Sequence, residues 1–307
     1  MKYIKSMLGK EKISLFDIGA SGGLEPRWKK IENNLKAILF EPDERSYLEL
    51  EKNEYVKKIF SVGLSDAVKK GVIYLTKKPQ VSSLFKPNMN FLSGFPNSER
   101  FDIVEELSIE LSTLDECLSK EPIDCDFIKL DTQGTELDII KGGRDLMNGP
   151  VIGLEIEVEF VELYEGQPLF GDVCSYLAKH GYDFIDFVNI CRWERSKFTQ
   201  FGQLVFGDAL FLSELDSFSL QLKSLPQDVA KSKAVKYIAI AILYDHIDLV
   251  PKCLSVFEQY ITDDQKRKIM KLYRKKLKQR QYVEFVLRVT NHFLKWTGTI
   301  ATGVQGR

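Results

Sequence analysis

The chain has 307 residues, 44% of them hydrophobic and 28% charged, with a formal net charge of −1. That composition is ordinary for a soluble globular protein, and the length allows one large domain with an appendage or two domains. Near-neutrality gives no global nucleic-acid signal, and no apolar run approaches the about 20 residues that cross a bilayer; the most apolar window, residues 235–243, already contains Lys236.

The first ten residues hold no apolar core long enough for a signal peptide. Residues 13–18 read as the first strand, 26–34 as a short helix or turn, 37–40 as the second strand, and 46–53 as a helix with Tyr47, Leu48 and Leu50 inward. A third strand at 59–64 ends in Ser65 and Asp66, a short strand follows at 71–76, and 81–99 is loop-like. Residues 107–111 alternate apolar and polar, as in an exposed edge strand or hairpin arm. Ser112 or Thr113 caps a short helix over 114–118. A buried strand at 126–130 ends at Asp131, a helix covers 135–141, and Gly142-Gly143 breaks it. Strands follow at 151–160, 182–187 and 208–212, with a helix at 171–179 closed by His180-Gly181. The last two strands are read as an antiparallel edge hairpin, and the alternation implies an α/β sheet wound on both faces. After about residue 213 the pattern turns helical, over 230–244, 247–260, 263–279 and 282–296, with Thr262-Asp263-Asp264-Gln265 as an N-terminal cap. Residues 297–307 read as a loose tail. The expected organisation is a domain over residues 1–215 and a helical extension over 216–307.

The five cysteines (Cys117, Cys125, Cys174, Cys191 and Cys253) are odd in number and include no C-x-x-C pair, which argues against a disulfide framework or a zinc site. A reducing cytoplasm is the expected home. Three separated histidines do not make a histidine-based metal cluster.

Leu15-Phe16-Asp17-Ile18-Gly19-Ala20-Ser21-Gly22-Gly23, followed by Ile38-Leu39-Phe40-Glu41-Pro42-Asp43, is the most informative stretch. Two apolar runs of the kind that form buried parallel strands each end in an acid, and a glycine-rich turn lies between. Small residues at Gly19, Ala20 and Gly22 let backbone approach a ligand. Glu41, beside Pro42 at the next strand tip, can accept both hydroxyls of a ribose. Together they describe a nucleoside pocket at the carboxyl edge of a doubly wound sheet. The order Asp17-x-Gly19-x-x-Gly22-Gly23 departs from the dinucleotide fingerprint, and a carboxylate before the turn disfavours a diphosphate. A ligand with a ribose and a cationic end fits better, and S-adenosylmethionine is such a molecule. Asp66, after the third strand, either meets its adenine amino group or caps the next turn.

Phe127-Ile128-Lys129-Leu130-Asp131-Thr132-Gln133-Gly134-Thr135-Glu136-Leu137-Asp138-Ile139-Ile140-Lys141-Gly142 resembles the signature of the FkbM-type methyltransferases. Ser112-Thr113-Leu114-Asp115, Leu154-Glu155-Ile156-Glu157 and Gly207-Asp208-Ala209-Leu210-Phe211-Leu212 agree with it, and the similarity covers about residues 13–213. Gln133 stands where the family usually has an acid, which speaks against a metal or base role at that position. The resemblance implies a Rossmann-like class I fold with an antiparallel last strand. It also implies methyl transfer from S-adenosylmethionine, usually to an oxygen of a sugar or small metabolite, in polysaccharide or secondary-metabolite pathways.

Asp131, at the carboxyl end of a buried strand, is the first candidate for the carboxylate that takes the acceptor's proton; helix capping is its alternative. Glu136 is the second, with interaction at a helix N-terminus as the alternative. Glu155, Glu157 and Glu159 share one strand face. Glu155 and Glu157 with Asp131 are oxygen donors of the kind Mg²⁺ takes, although a strand end emerging into solvent accounts for them more simply, and a metal is not favoured. Phe91, Phe95 and Phe101, with Ser82, Ser83 and Asn97, form one candidate acceptor wall; Trp193, Glu194 and Arg195 form another. The basic residues Lys266, Arg267, Lys268, Lys271, Arg274, Lys275, Lys276, Lys278 and Arg280 make a local positive field for an anionic partner or a solvated helix face. The expected activity is S-adenosylmethionine-dependent O-methylation of a glycan or small-molecule acceptor. A non-catalytic scaffold of the same fold and a nicotinamide-dependent oxidoreductase stay as alternatives.

Overall fold

The computed structural model describes residues 2–20, 23–42, 50–196 and 202–296. Gly22, Asp43, residues 46–49 of the helix expected at 46–53 and the tail at 297–307 lie outside the described residues. The strands are β1 (Ile13–Ile18), β2 (Leu35–Phe40), β3 (Val56–Phe60), β4 (Gly63–Leu64), β5 (Lys69–Thr76), β6 (Ile103–Ser112), β7 (Phe127–Leu130), β8 (Gly153–Glu159), β9 (Tyr182–Trp193) and β10 (Gln203–Ser213). Seven of them form one sheet in the order β3-β2-β1-β7-β8-β10-β9. All its pairings are parallel except the two made by β10, as the class I arrangement requires. The strand order reverses between β1 and β7, so a crevice opens beyond their carboxyl ends.

The described helices are α1 (Lys2–Leu8), α2 (Pro26–Lys29), α3 (Met89–Leu92), α4 (Leu114–Lys120), α5 (Glu136–Lys141), α6 (Arg144–Met147), α7 (Phe170–Lys179), α8 (Leu215–Lys223), α9 (Gln227–Leu243), α10 (Leu249–Val256) and α11 (Asp263–Trp296). Period-two alternation sends Phe16, Ile18, Ile128, Leu130, Leu154, Ile156 and Phe211 to one face, under α4 to α7. Ile13, Leu15, Phe127, Leu210 and Leu212 go to the other. That second face is covered by α1, by Trp28 of α2, and by α8, α9, α10 and the first turns of α11. The helices beyond residue 215 therefore share the sheet's core, and the expected boundary there separates types of element without separating cores.

α9 is buried from Ala234 to Leu243 on every side, as befits a helix sandwiched between a sheet and outer helices. The lysine that interrupts its apolar window is also buried. Lys236 reaches Asp126 at 2.8 Å and Lys233 reaches it at 2.9 Å. The two helices expected at 263–279 and 282–296 are one, α11, because the joining residues Lys278-Gln279-Arg280-Gln281 are all good helix formers. Its start carries the reciprocal cap read from sequence: Gln265 N–H donates to Thr262 Oγ1 at 3.3 Å, and Thr262 N–H donates to Gln265 Oε1 at 2.9 Å. Among the described residues no helix is long and apolar enough to cross a membrane.

β4, β6 and β5 form a separate three-stranded sheet. β6, expected as an exposed edge strand or a hairpin arm, lies in its middle, antiparallel to β5 and parallel to β4, and most of its side chains stay exposed. Part of the signature proves to be scaffold. Thr113 caps α4 through Glu116 N–H at 3.0 Å. Asp115 accepts from the N–H groups of Asp145 and Leu146 at the start of α6. A Cβ on Gly142 would sit 2.1 Å from the Ser65 carbonyl oxygen, so this position needs glycine for close packing.

Candidate functional site

The face covered by the C-terminal helices changes character along its strands. Its inward positions are apolar at the amino end (Ile13, Leu15, Phe127) and ionisable toward the carboxyl end. The register places Asp17 beside Lys129 and Lys129 beside Glu155, on three adjacent strands. Buried charges are costly unless paired, and Lys129 supplies the pairing. Its Nζ lies 3.7 Å from Asp131, 3.8 Å from Glu25 and 3.9 Å from Asp17. Burial alone would lower the pKa of that ammonium, but Asp17, Asp131 and Glu25 hold it above the ordinary lysine range. Lys129 belongs to the quoted signature, yet only the strand register reveals that it serves three acids at once.

Asp17 is buried, and burial pushes its pKa up to about 6 against the pull of Lys129. Its Oδ1 accepts no hydrogen bond among the described residues. A buried oxygen without a donor is an acceptor awaiting one. Two residues on, Gly19 has φ +81°, and a Cβ there would lie 2.0 Å from the Asp131 carbonyl oxygen. Only glycine lets the first turn press against β7. Gly19 N–H donates to Phe40 O, Glu41 N–H to Phe60 O and Asp131 N–H to Ile18 O, so the tips of β1, β2, β3 and β7 are tied into one rim.

This rim bounds a cleft of about 790 Å³. Asp17, Gly19, Ala20, Glu41, Pro42 and Asp131 all line it. Asp66 does not: the chain leaves β3 to pair β4 with β6, so Val62, Gly63 and Leu64 face the cleft. Asp66 turns to Lys69 at 2.6 Å and to the Ser65 hydroxyl. The expectation of an adenine contact at Asp66 is corrected accordingly.

Asp131 stands at the mouth of the crevice, its side chain 40% exposed. Gln133 holds it in place. The Gln133 Nε2 donates to Asp131 Oδ1 at 3.1 Å and to Glu157 Oε1 at 2.8 Å, while its Oε1 accepts from Tyr164 OH at 3.0 Å. The backbone of Gln133 has φ 60°, and its carbonyl accepts from Ser83 Oγ at 2.6 Å. The side chain that departs from the family pattern is thus a donor clamp between two acids. Glu157 lines the same cleft, and burial and the nearby Asp131 hold its pKa well above the usual carboxylate range.

Glu136 does not line the cleft. Its Oε1 accepts from Thr132 N–H, Thr132 Oγ1 and Gly134 N–H at 2.6, 3.0 and 3.3 Å, closing the turn that carries Asp131 and Gln133. Burial raises its pKa to about 7 despite these donors. The structure places Glu136 as a brace for the loop and corrects its expected part in catalysis.

Glu155 faces away toward Arg27, whose Nη1 lies 3.0 Å from its Oε2. The hydroxyl of Tyr244, at the end of α9, donates to the same oxygen. The Arg27 guanidinium also lies 4.1 Å over the Tyr244 ring. Burial and Glu25 raise the Glu155 pKa to about 7. With Glu155 engaged here and the Gln133 amide between Asp131 and Glu157, this donor set does not converge as an oxygen cage for a divalent ion. Among the described residues no cluster of three or more His, Cys, Asp or Glu side chains could hold one.

The two candidate acceptor walls are one. Ser82, Ser83, Phe101 and Trp193 line the cleft. Trp193 packs against Phe95 and Phe101, with ring centroids 5.5 and 6.0 Å apart. Phe91 and Phe95 lie behind this wall, and Arg195 stacks on Phe95 at 4.4 Å. On α11, Lys266 pairs with Glu258, Arg267 and Lys268 with Asp264, and Lys276 with Asp245, so part of the positive run is neutralised locally.

Comparison with known proteins agrees with the signature. A family model described as the methyltransferase FkbM domain matches residues 17–184. The chain is 28% identical over 179 residues to the 2-O-methyltransferase NoeI of Sinorhizobium fredii, covering 54% of this chain and 71% of that one. Among solved structures, methyltransferase FkbM from Methylobacillus flagellatus KT is matched at 13% identity and TM-score 0.35, over 66% of this chain and 43% of that one. TrmK of M. capricolum, in complex with S-adenosyl-homocysteine, is matched at 11% identity and TM-score 0.31, over 88% and 96%.

Proposed function

The chain belongs to the FkbM methyltransferase family, and on that premise we propose that it methylates a hydroxyl of a sugar, glycan or related small metabolite with S-adenosylmethionine as donor. The observation that carries the reading is Asp17 Oδ1, buried and without a donor beside a glycine turn at the strand-order reversal. The residues present fit that cofactor. Gly19 and Ala20 admit it to the backbone, Glu41 accepts its ribose hydroxyls, and Asp17 accepts from its ammonium group. When bound, the cofactor supplies an electrophilic methyl group on a sulfonium.

The chain's own residues do the rest. Holding two reactants in line contributes roughly 7–11 kcal/mol toward the barrier, and the joined tips of β1, β2 and β7 provide a rigid frame for that alignment. Asp131, fixed between Gln133 and Lys129 and open to the cleft, accepts the proton of the acceptor hydroxyl. The wall of Phe101 and Trp193 limits water around it.

Titration calorimetry with S-adenosylhomocysteine and with NAD tests the reading. Binding of the first and not the second, weakened at least tenfold by Glu41→Ala, is the expected result. Labelled-methyl assays on nucleotide sugars and oligosaccharides then identify the acceptor. A wild-type chain that takes up neither S-adenosylmethionine nor its demethylated product would falsify the proposal.

A further inference from the structure

Resting on the methyl-transfer reading of the same cleft, we propose that the wall built by the insertion between β5 and β6 binds an anionic group of the acceptor, a phosphate or carboxylate on a sugar, through Arg100 and Lys78. Both residues line the cleft. They are fastened to each other by the backbone, since Lys78 N–H donates to the Arg100 carbonyl at 3.1 Å. Lys77 points elsewhere and is neutralised by Asp102 at 2.7 Å. No carboxylate lies within ion-pair distance of Lys78 or Arg100 among the described residues, although the neighbouring cations Lys69, Lys70 and Lys77 all have one.

The Arg100 side chain is held as a tool for planar anions. Its guanidinium lies 4.9 Å from the Phe101 ring centroid and 4.7 Å from that of Trp193. Among the described residues its polar contact is a single long bond, 3.5 Å, to the Asn97 carbonyl. Two aromatic faces fix the plane of the fork while most of its donors stay unused, which suits bidentate recognition of a carboxylate or phosphate. Lys78 adds a point charge on a mobile stem. The acids of the cleft, Asp17, Glu25, Glu41, Asp131 and Glu157, come instead from the large sheet and its loops, and the one cation of that side, Lys129, is paired with three of them. The unpaired positive charge of the cleft among the described residues therefore sits on the insertion, and a neutral acceptor would leave that cationic wall without a counter-charge.

The test is acceptor-side binding by calorimetry with the full chain saturated with S-adenosylhomocysteine. Glucose 1-phosphate, glucuronic acid and methyl glucoside serve as probes for phosphate, carboxylate and neutral sugar. At least one anionic probe is expected to bind about tenfold or more tightly than the glucoside. Arg100→Gln should reduce that preference to under about threefold, and the exposed Lys78→Gln should reduce it partly, with S-adenosylhomocysteine affinity retained in both. Equal binding of all three probes, or an anion preference that survives both substitutions, overturns the proposal. So does loss of S-adenosylhomocysteine affinity in folded Arg100→Gln, which assigns the arginine to the cofactor. Failure of the wild-type chain to bind S-adenosylhomocysteine removes the methyl-transfer reading itself, whereas binding without anion preference removes only this one.

Discussion

Two buried acid–lysine clusters flank β7, one at each end, and they are built differently. At the amino end Asp126 is paired at close range: Lys236 lies 2.8 Å from Oδ2 and Lys233 2.9 Å from Oδ1, and Ser14 N–H donates to Oδ2 at 2.8 Å. Lys233 also donates to the Cys125 carbonyl. At the carboxyl end one lysine, Lys129, is shared by three acids at 3.7–3.9 Å, and Asp17 keeps an oxygen without a donor. The first cluster fastens the C-terminal helices to the sheet. The second is left incomplete where a ligand is expected. The same residue types thus mark a joint or a site according to how closely their charges are paired and whether they face the cleft.

The largest expected effect falls on the closely paired cluster. Asp126→Ala removes an acidic partner from two buried lysines, of which Lys233 keeps Asp124, and should cost about 3–5 kcal/mol in chemical denaturation. The folded fraction should bind S-adenosylhomocysteine with wild-type affinity; a selective loss of binding would erase the distinction between joint and site. At the other end, Asp131→Asn should lower methyl transfer about 100-fold or more. Stability and cofactor affinity should change little, as measured by steady-state kinetics beside calorimetry.

Asp17 sharpens the contrast through pH. Its folded-state pKa of about 6 lies above the ordinary 3.8, so the folded chain binds this proton more tightly than the unfolded chain. The stabilisation from protonation is full below about pH 4 and disappears as pH rises through about 6. Asp17→Asn removes that dependence. The wild type should lose roughly 1–3 kcal/mol relative to the variant across this window, while the variant binds S-adenosylhomocysteine more weakly. Parallel stability profiles would mean that Asp17 is not the strained acid inferred here.

The smallest effect is expected at Tyr244→Phe. Loss of one hydrogen bond to Glu155, with Arg27 still present, should cost about 1 kcal/mol of stability. A greater effect on cofactor affinity than on stability would make the end of α9 part of the site.

How far the residues could be read alone depended on the range of the interactions involved. Gly19, Glu41 and Asp131 were legible because a strand tip followed by a small turn or an acid is a local pattern, and its place at the sheet edge follows from the alternation of elements. Asp66 kept two readings, an adenine contact or a turn cap, because the path after β3 depends on a separate sheet formed with β6. Glu136 also kept two, catalysis or interaction at a helix N-terminus, because sequence shows an acid near a helix start but not which way its oxygen turns. The one departure from the family signature, Gln133, read as a lost acid; the structure makes it a donor to Asp131 and Glu157.

The sequence by itself determined the doubly wound sheet and the glycine turn, which are written in short-range periodicity and spacing, and the family, through the resemblance carried by residues 127–142. The tertiary structure decided which charges are paired closely and which are shared at a distance in the cleft. Lys236 looked like an interruption of an apolar helix and became half of a buried joint with Asp126, a residue 110 positions away. Lys129 was read only as part of the signature and became the shared counter-ion of the cleft. The pairing of charges depends on partners that distant segments bring together, and no local pattern encodes it.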